Sequence, residues 1–225
     1  MKKLTLLFTL LIFLAGPVAR PAELTDLITE TQKLVHAPGR LILVWWIPTE
    51  YWSLALKNDP RITDAQRTDI NTMLSKYTVF VVVAADIGPM AAMQVKPRAE
   101  IVANTEFQVG GKVVPLLPPE EVSKSATNLI SVMKPLMASM LGTLGQGMEF
   151  LLYANEKNGT PLIEATKTGE FTYTAFGNKL TWRLPLGSLM PPKMDPTTKE
   201  EFPGNYLFNP FTGGKLVLKD TPAQK

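Results

Sequence analysis

The chain has 225 residues, of which 45% are hydrophobic and 19% charged, and these values are typical of a globular protein rather than a disordered one. Its length suits one domain of ordinary size, and its net charge of +3 provides no basic patch of the kind that nucleic-acid binding requires. Because it contains no cysteine, disulfides, thiol nucleophiles, lipoprotein attachment and thiolate metal sites are excluded.

The first 22 residues are typical of a secretory signal peptide. Lys2 and Lys3 form a positive start, residues 4–15 are apolar, and a small, proline-containing stretch follows. About a dozen apolar residues are too few to cross a bilayer, which needs roughly 20. The sequence therefore predicts an exported protein, periplasmic or extracellular, in which an uncleaved leader is one route to membrane contact.

The next 65 or so residues predict short helices between two buried strands. A helix is expected at 23–37, followed by an apolar strand at 40–47. A short helix begins after Pro48, and another covers 63–77, where Thr63 and Gln66 have the spacing of a capping box. The β-branched run at 79–85 predicts the second buried strand.

The remainder of the main domain predicts hairpins around one long helix. Residues 94–103 predict an extended piece, and Gly110-Gly111 predicts a hairpin turn. The apolar run at 120–148 predicts a long helix that Pro135 kinks or splits. A strand at 150–153 and an alternating hairpin at 171–184 follow. This order predicts an α+β fold over 23–190, a mostly antiparallel sheet packed against helices.

The tail, 191–225, contains two parallel phrases, Asp195-Pro-Thr-Thr198 and Asn209-Pro-Phe-Thr212. With cysteine at their first and fourth places the pattern would be CPxC-x10-CPxCG, so residues 193–216 resemble a small zinc ribbon. Structural zinc needs four thiolate or imidazole ligands. The resemblance therefore implies a ribbon-like double hairpin that has lost its metal and is held by packing of its aromatic residues, Phe202, Tyr206, Phe208 and Phe211.

Two alternatives for the tail are a hard-cation site built from the same oxygens and a chance pattern in a Pro/Gly-rich segment. With its leader and this tail, the chain is similar to uncharacterised exported bacterial proteins that end in such a ribbon. That similarity implies no activity and no site residues.

Few residues are candidates for chemistry, and no metal or organic cofactor is expected. His36, the only histidine, is expected to bond free carbonyls at the end of the first helix. Glu50 lies among Trp45, Trp46, Tyr51 and Trp52, where core packing, a sugar or peptide cleft, and carboxylate catalysis are the alternatives. Methionines spaced i, i+4 and i+7 suit core packing, an apolar-ligand groove or a copper(I) site: Met133, Met137 and Met140.

The sequence thus predicts a ligand groove made by Glu50, Trp52, Met133, Met137 and Met140. The leading hypothesis is a non-catalytic exported binding or structural module of the bacterial cell envelope, whose partner is a protein, a peptide or another envelope component. One alternative is a carboxylate-dependent hydrolase acting on envelope polymers. The other is an apolar-ligand or membrane-docking protein that uses the Met-rich helix.

Overall fold

Two stacked antiparallel sheets and a layer of helices form the main body. The structure is a computed structural model that describes residues 21–57, 59–157 and 159–218, so residues 1–20 of the predicted leader lie outside it. The larger sheet has β1 (Gln32–Ala37), β2 (Arg40–Ile47) and β3 (Tyr77–Ile87) in that order, and both β4 (Met93–Val95) and β7 (Glu149–Ala154) pair with β3. The smaller sheet has the order β11 (Asn178–Leu184), β10 (Gly169–Ala175), β5 (Thr105–Val109), β6 (Lys112–Val114). The predicted α+β fold is confirmed.

The helices are α1 (Pro21–Thr31), α2 (Thr49–Leu56), α3 (Asp64–Leu74), α4 (Arg98–Ala103) and α5 (Lys124–Met140). The predicted capping box at the start of α3 is present, because Gln66 N donates to Thr63 Oγ1 and the Gln66 side chain accepts from Thr63 N. A short ribbon of β8 (Glu156–Lys157) and β9 (Thr160–Pro161) follows β7. Within the described residues, no helix is long and apolar enough to cross a bilayer.

The central strands are apolar throughout because both of their faces are buried. Alternate residues of β2, such as Val44 and Trp46, face the smaller sheet, where an aromatic cluster includes Phe171 and Trp182 stacked at 5.2 Å. The intervening residues, such as Trp45, face the helices. Burial on both faces explains why the sequences of these strands are continuously apolar and do not alternate between apolar and polar residues.

The helix predicted at 23–37 is wrong in its second half. Helix α1 ends at Thr31, and residues 32–37 form β1, which pairs with β2 through the turn at Pro38-Gly39. Thr31 is held at the point where helix α1 gives way to strand β1. Its Oγ1 accepts from Trp45 Nε1 at 3.1 Å, and its carbonyl accepts from Trp182 Nε1 at 3.0 Å. His36 consequently lies exposed on a strand and not at a helix end.

Two further elements differ from the sequence-based prediction. The extended piece expected at 94–103 is wrong in its second half, because β4 ends at Val95 and residues 98–103 form α4. The long helix is not split at Pro135, because α5 runs through it and ends at Met140, and Gly142 then takes a φ of 55° into a 3₁₀ segment. Proline removes one backbone hydrogen bond, whereas Ala126 and Met137 anchor α5 in the core on both sides of it.

The tail forms the predicted double hairpin, with β12 (Lys193–Met194) between β13 (Glu201–Phe202) and β14 (Val217–Leu218). It rests on the 3₁₀ turn at Gly187–Leu189, whose first two N–H groups donate to the Glu30 carboxylate at 2.8 and 2.9 Å. The expected aromatic packing is only partly present. Phe202 is buried and stacks on Tyr206, whereas Phe208 and Phe211 are exposed.

Candidate functional site

A cleft opens at one end of the larger sheet, where the ends of three strands meet. Because β2, β3 and β7 are antiparallel neighbours, the end of β2, the start of β3 and the end of β7 lie side by side. The cleft has a volume of about 350 Å³ and is lined by residues 46–50, 75–78, 155–156, 161 and 163–166. A volume of this size suits a small molecule or one side chain of a larger partner.

Glu50 lines the cleft from the first turn of α2. The helix begins after Pro48, which is extended at φ −68° and ψ 159° and whose carbonyl accepts from Tyr51 N at 3.0 Å. Burial raises the pKa of the Glu50 carboxyl, a hydrogen bond from its own backbone N–H opposes this, and the negative charge of Glu164 raises the pKa again. Glu50 therefore holds its proton more tightly than a solvent-exposed glutamate does.

Asn155 holds the loop that carries Glu164 against the end of the sheet. Its Oδ1 accepts from Thr78 Oγ1 at 3.0 Å and from Ile163 N at 3.2 Å, and its Nδ2 donates to Ser75 O at 3.2 Å. Its backbone carbonyl accepts from Leu162 N at 2.7 Å. These bonds fix the loop relative to β3, so that Glu164 is held where its charge acts on Glu50.

The two carboxyl groups differ in their surroundings. Lys167 forms an ion pair with Glu164 at 2.8 Å, three residues along the chain. No such ion pair reaches Glu50 within residues 21–57, 59–157 and 159–218. The acidic and basic residues that line the cleft are three glutamates, Glu50, Glu156 and Glu164, and one lysine, Lys76. The cleft is therefore predominantly acidic, and its electrostatics favour a positively charged ligand.

The five residues of the predicted groove divide between this cleft and the core. Trp52 is 3% exposed and packs in the helix layer with Met137, which is 8% exposed, and with the half-buried Met133. None of these three lines the cleft beside Glu50. Met140 is the last residue of α5, and its side chain is outside the described part of the structure.

The two tail turns have matching hydrogen bonds. Asp195 Oδ1 accepts from the N–H groups two and three residues later at 2.8 and 3.2 Å, and Asn209 Oδ1 does the same at 2.9 and 3.3 Å. In both turns the fifth residue has positive φ, 65° at Lys199 and 73° at Gly213. The first and fourth places of the two phrases thus occupy equivalent positions.

Hydrogen bonds join the two turns directly. Asp195 Oδ2 accepts from Asn209 Nδ2 at 2.6 Å and from Thr212 Oγ1 at 3.3 Å. The hydrogen bond from Asn209 is the main reason that the pKa of Asp195 lies below its usual range. No group of three or more His, Cys, Asp or Glu side chains among the described residues is arranged to hold a metal ion.

Sequence reasoning identified Glu50 but missed Glu164 and Asn155. Both lie more than 100 residues from Glu50 in the chain and belong to no motif, so their part in the cleft follows only from strand pairing. The one local signal is the Asn158-Gly159 sequence, which is typical of a turn. Strand β8 pairs with β9, and Leu162 N then donates to Asn155 O, next to the end of β7.

No protein-family model matches the chain, and no curated protein and no solved structure gives a significant match.

Proposed function

We propose that the protein is a non-catalytic, exported binding module of the bacterial cell envelope, and that its ligand enters the cleft between Glu50 and Glu164. The observation that carries this proposal is a desolvated carboxyl beside an open cleft with no basic partner among the described residues. Buried charges in proteins are normally paired. A ligand that brings a positive charge would complete the pairing.

The ligand that best fits these charges is a protonated amine, such as the lysine side chain of a peptide or another amine-bearing envelope component. An ammonium group placed between two carboxylates is attracted by both and offsets the repulsion between them. Pro161, an exposed lining residue, supplies apolar surface for the methylene groups of a lysine side chain. The carboxyl groups of Glu50 and Glu164 together have fewer oxygen atoms than calcium takes as ligands, so an amine fits the cleft better than calcium does.

The proposal is tested by calorimetric titration with a blocked Ala-Lys-Ala tripeptide and with the same peptide acetylated on its lysine. We expect the lysine peptide to bind at least about tenfold more tightly, because acetylation removes the positive charge. Glu50→Gln should weaken this binding, whereas Glu121→Gln, at an exposed site outside the cleft, should not. Equal binding of the two peptides, or equal effects of the two substitutions, would refute the proposal.

A carboxylate-dependent hydrolase acting on envelope polymers is the second candidate. It is favoured by the contrast between Glu50, whose pKa is raised by burial, and Glu164, which is paired with Lys167. Glycoside hydrolysis uses such a pair, one carboxyl as acid and the other as base or nucleophile. Mass spectrometry of peptidoglycan fragments after incubation with the protein tests it: products that disappear with Glu50→Gln would support it, and unchanged fragments with the parent protein would exclude it.

We also propose that export depends on the leader at residues 1–22 and that the tail is a zinc ribbon in which hydrogen bonds have replaced the metal. The charged start and apolar segment of the leader support the first. The matching bonds of the two turns, joined through Asp195 and Asn209, support the second. Detection of the protein outside the cytoplasm, and its loss on removal of residues 1–22, is the test of export.

A further inference from the structure

Several large apolar side chains of the tail are exposed. Phe211 is 85% exposed, Leu207 66% and Phe208 57%, and Tyr206 and Leu218 are also exposed. Phe211, Leu207 and Phe208 contribute little packing to the tail, because most of their surface is in water. Tyr206 is less exposed, and its ring stacks on Phe202. Exposed apolar patches typically mark a surface that contacts another molecule or a membrane.

The backbone beneath Phe211 is held in place. Its N–H donates to Asn209 Oδ1 at 2.9 Å, and Asn209 in turn donates to Asp195 Oδ2 at 2.6 Å. Gly213 N closes the turn on Asn209 O at 2.8 Å. The ring of Phe211 is therefore presented at the end of a braced turn, which lowers the entropy lost when it binds.

Two lysines lie beside these apolar residues. Lys193 Nζ donates to Tyr206 O at 2.7 Å. Lys215 pairs with Phe208 through their backbones in an isolated antiparallel β-bridge. The acidic residues in the described part of the tail lie elsewhere: Asp195 is buried between the turns, and Glu201 belongs to β13, on the opposite side of β12 from β14. Glu200, next to it, accepts from Thr198 Oγ1 at 3.0 Å. The exposed apolar residues thus have a positive rather than a negative border.

We propose that this face, formed by Tyr206, Leu207, Phe208, Phe211, Lys193 and Lys215 and called here the tail face, docks on an anionic lipid bilayer. A projecting ring with cationic neighbours matches the bilayer interface, where apolar groups enter the acyl region and lysines remain with the phosphates. A protein partner would have to provide a pocket for Phe211, whereas a bilayer needs no complementary shape. The proposal does not depend on the ligand of the cleft.

Tryptophan fluorescence can locate the insertion directly. The four native tryptophans are buried, at 2% or 3% exposure, and are shielded from quenchers in the lipid. A Phe211→Trp variant therefore adds one exposed reporter on the tail face. Leu136→Trp is the matched control, since Leu136 is 57% exposed on the Met-rich helix α5, the alternative membrane-docking surface. Both full-length variants are mixed with phosphatidylglycerol vesicles that carry bromine on the acyl chains.

We expect the bromolipid to quench the Phe211→Trp reporter and not the Leu136→Trp reporter. The quenching reports depth at the labelled residue, so an anchoring leader cannot by itself produce it. Quenching at position 136 alone, or at neither position, would overturn the proposal. So would equal quenching in zwitterionic phosphatidylcholine vesicles, since the lysines are expected to add about fivefold each to binding of an anionic surface.

Substitutions give a second measurement that does not need the reporter. In the Phe211→Trp background, Phe208→Ala should raise the lipid concentration for half-maximal quenching by roughly tenfold, because a phenyl ring no longer leaves water. Val113→Ala, at an exposed site of β6, should leave it unchanged. Equal effects of the two substitutions would contradict a specific tail face.

Discussion

Replacement of Asn155 by alanine tests how the cleft is held together. The substitution removes the acceptor of Thr78 Oγ1 and Ile163 N and the donor to Ser75 O. A neutral hydrogen bond contributes about 1 kcal/mol net, and a buried donor left without an acceptor costs about 1–3 kcal/mol. Thr78 is only 2% exposed, so its hydroxyl has little access to water in the folded protein. We expect Asn155→Ala to lower the free energy of unfolding by about 3 kcal/mol.

The assay is urea denaturation of the parent protein, Asn155→Ala, Thr78→Val and the double variant. Thr78→Val removes the hydroxyl and leaves Asn155 Oδ1 bonded to Ile163 N, so it should cost about 1 kcal/mol or less. In the double variant no orphaned hydroxyl remains. The double loss should therefore fall about 1 kcal/mol short of the sum of the single losses. Additive losses, or a loss below about 1 kcal/mol for Asn155→Ala, would refute this account of the cleft.

The same variant should change the titration of Glu50. Without Asn155 the loop with Glu164 is less firmly held, and the charge that helps to raise the pKa of Glu50 moves away. We expect the Glu50 pKa in Asn155→Ala to fall towards its ordinary value, as followed by carboxyl chemical shifts during a pH titration. An unchanged pKa would mean that the loop stays in place without Asn155.

Three further predictions concern the cleft, the tail and the core. Because the pKa of Glu50 is raised in the folded state, its ionised form opposes folding, and Glu50→Gln should gain stability relative to the parent as pH rises through that pKa; urea midpoints that keep a constant difference would contradict this. Met137→Ala should cost about 2–5 kcal/mol, because Met137 is buried, and exposed Leu136→Ala less than about 0.5 kcal/mol in the same urea assay. One zinc ion per chain should bind to a variant in which cysteine replaces Asp195, Thr198, Asn209 and Thr212. Metal analysis without stoichiometric zinc would contradict the ribbon proposal.

Local patterns predicted the elements whose structure is decided locally. The capping box of α3 depends on two side chains three residues apart, and both tail turns depend on bonds within five residues. Strands β2 and β3 were predictable for a different reason. They are buried on both faces, so nearly every position must be apolar, and that pattern is visible without knowing the partners.

The errors occur where a distant partner decides between two locally acceptable structures. Leu34 and Val35 fit the apolar face of a helix that continues from α1, but they also fit a strand, and pairing with Leu43 and Ile42 selects the strand. The charge on Glu164 acts on Glu50 for the same kind of reason. Their proximity depends on the pairing of β3 with β7, which no spacing within either segment reveals.

The cleft and the tail face each contain a side chain that lacks the contacts it normally makes inside a protein, and the missing contact differs between the two sites. At Glu50 a charge lacks a basic partner among the described residues, and at Phe211 an apolar ring lacks packing. Other polar side chains of the same segments are well paired: Asn155 bonds on both sides of its amide, and Asp195 accepts four hydrogen bonds. Sequences generally break folding rules where function requires it. Because the two sites share no residue, Glu50→Gln should spare lipid quenching and Phe211→Trp should spare amine binding.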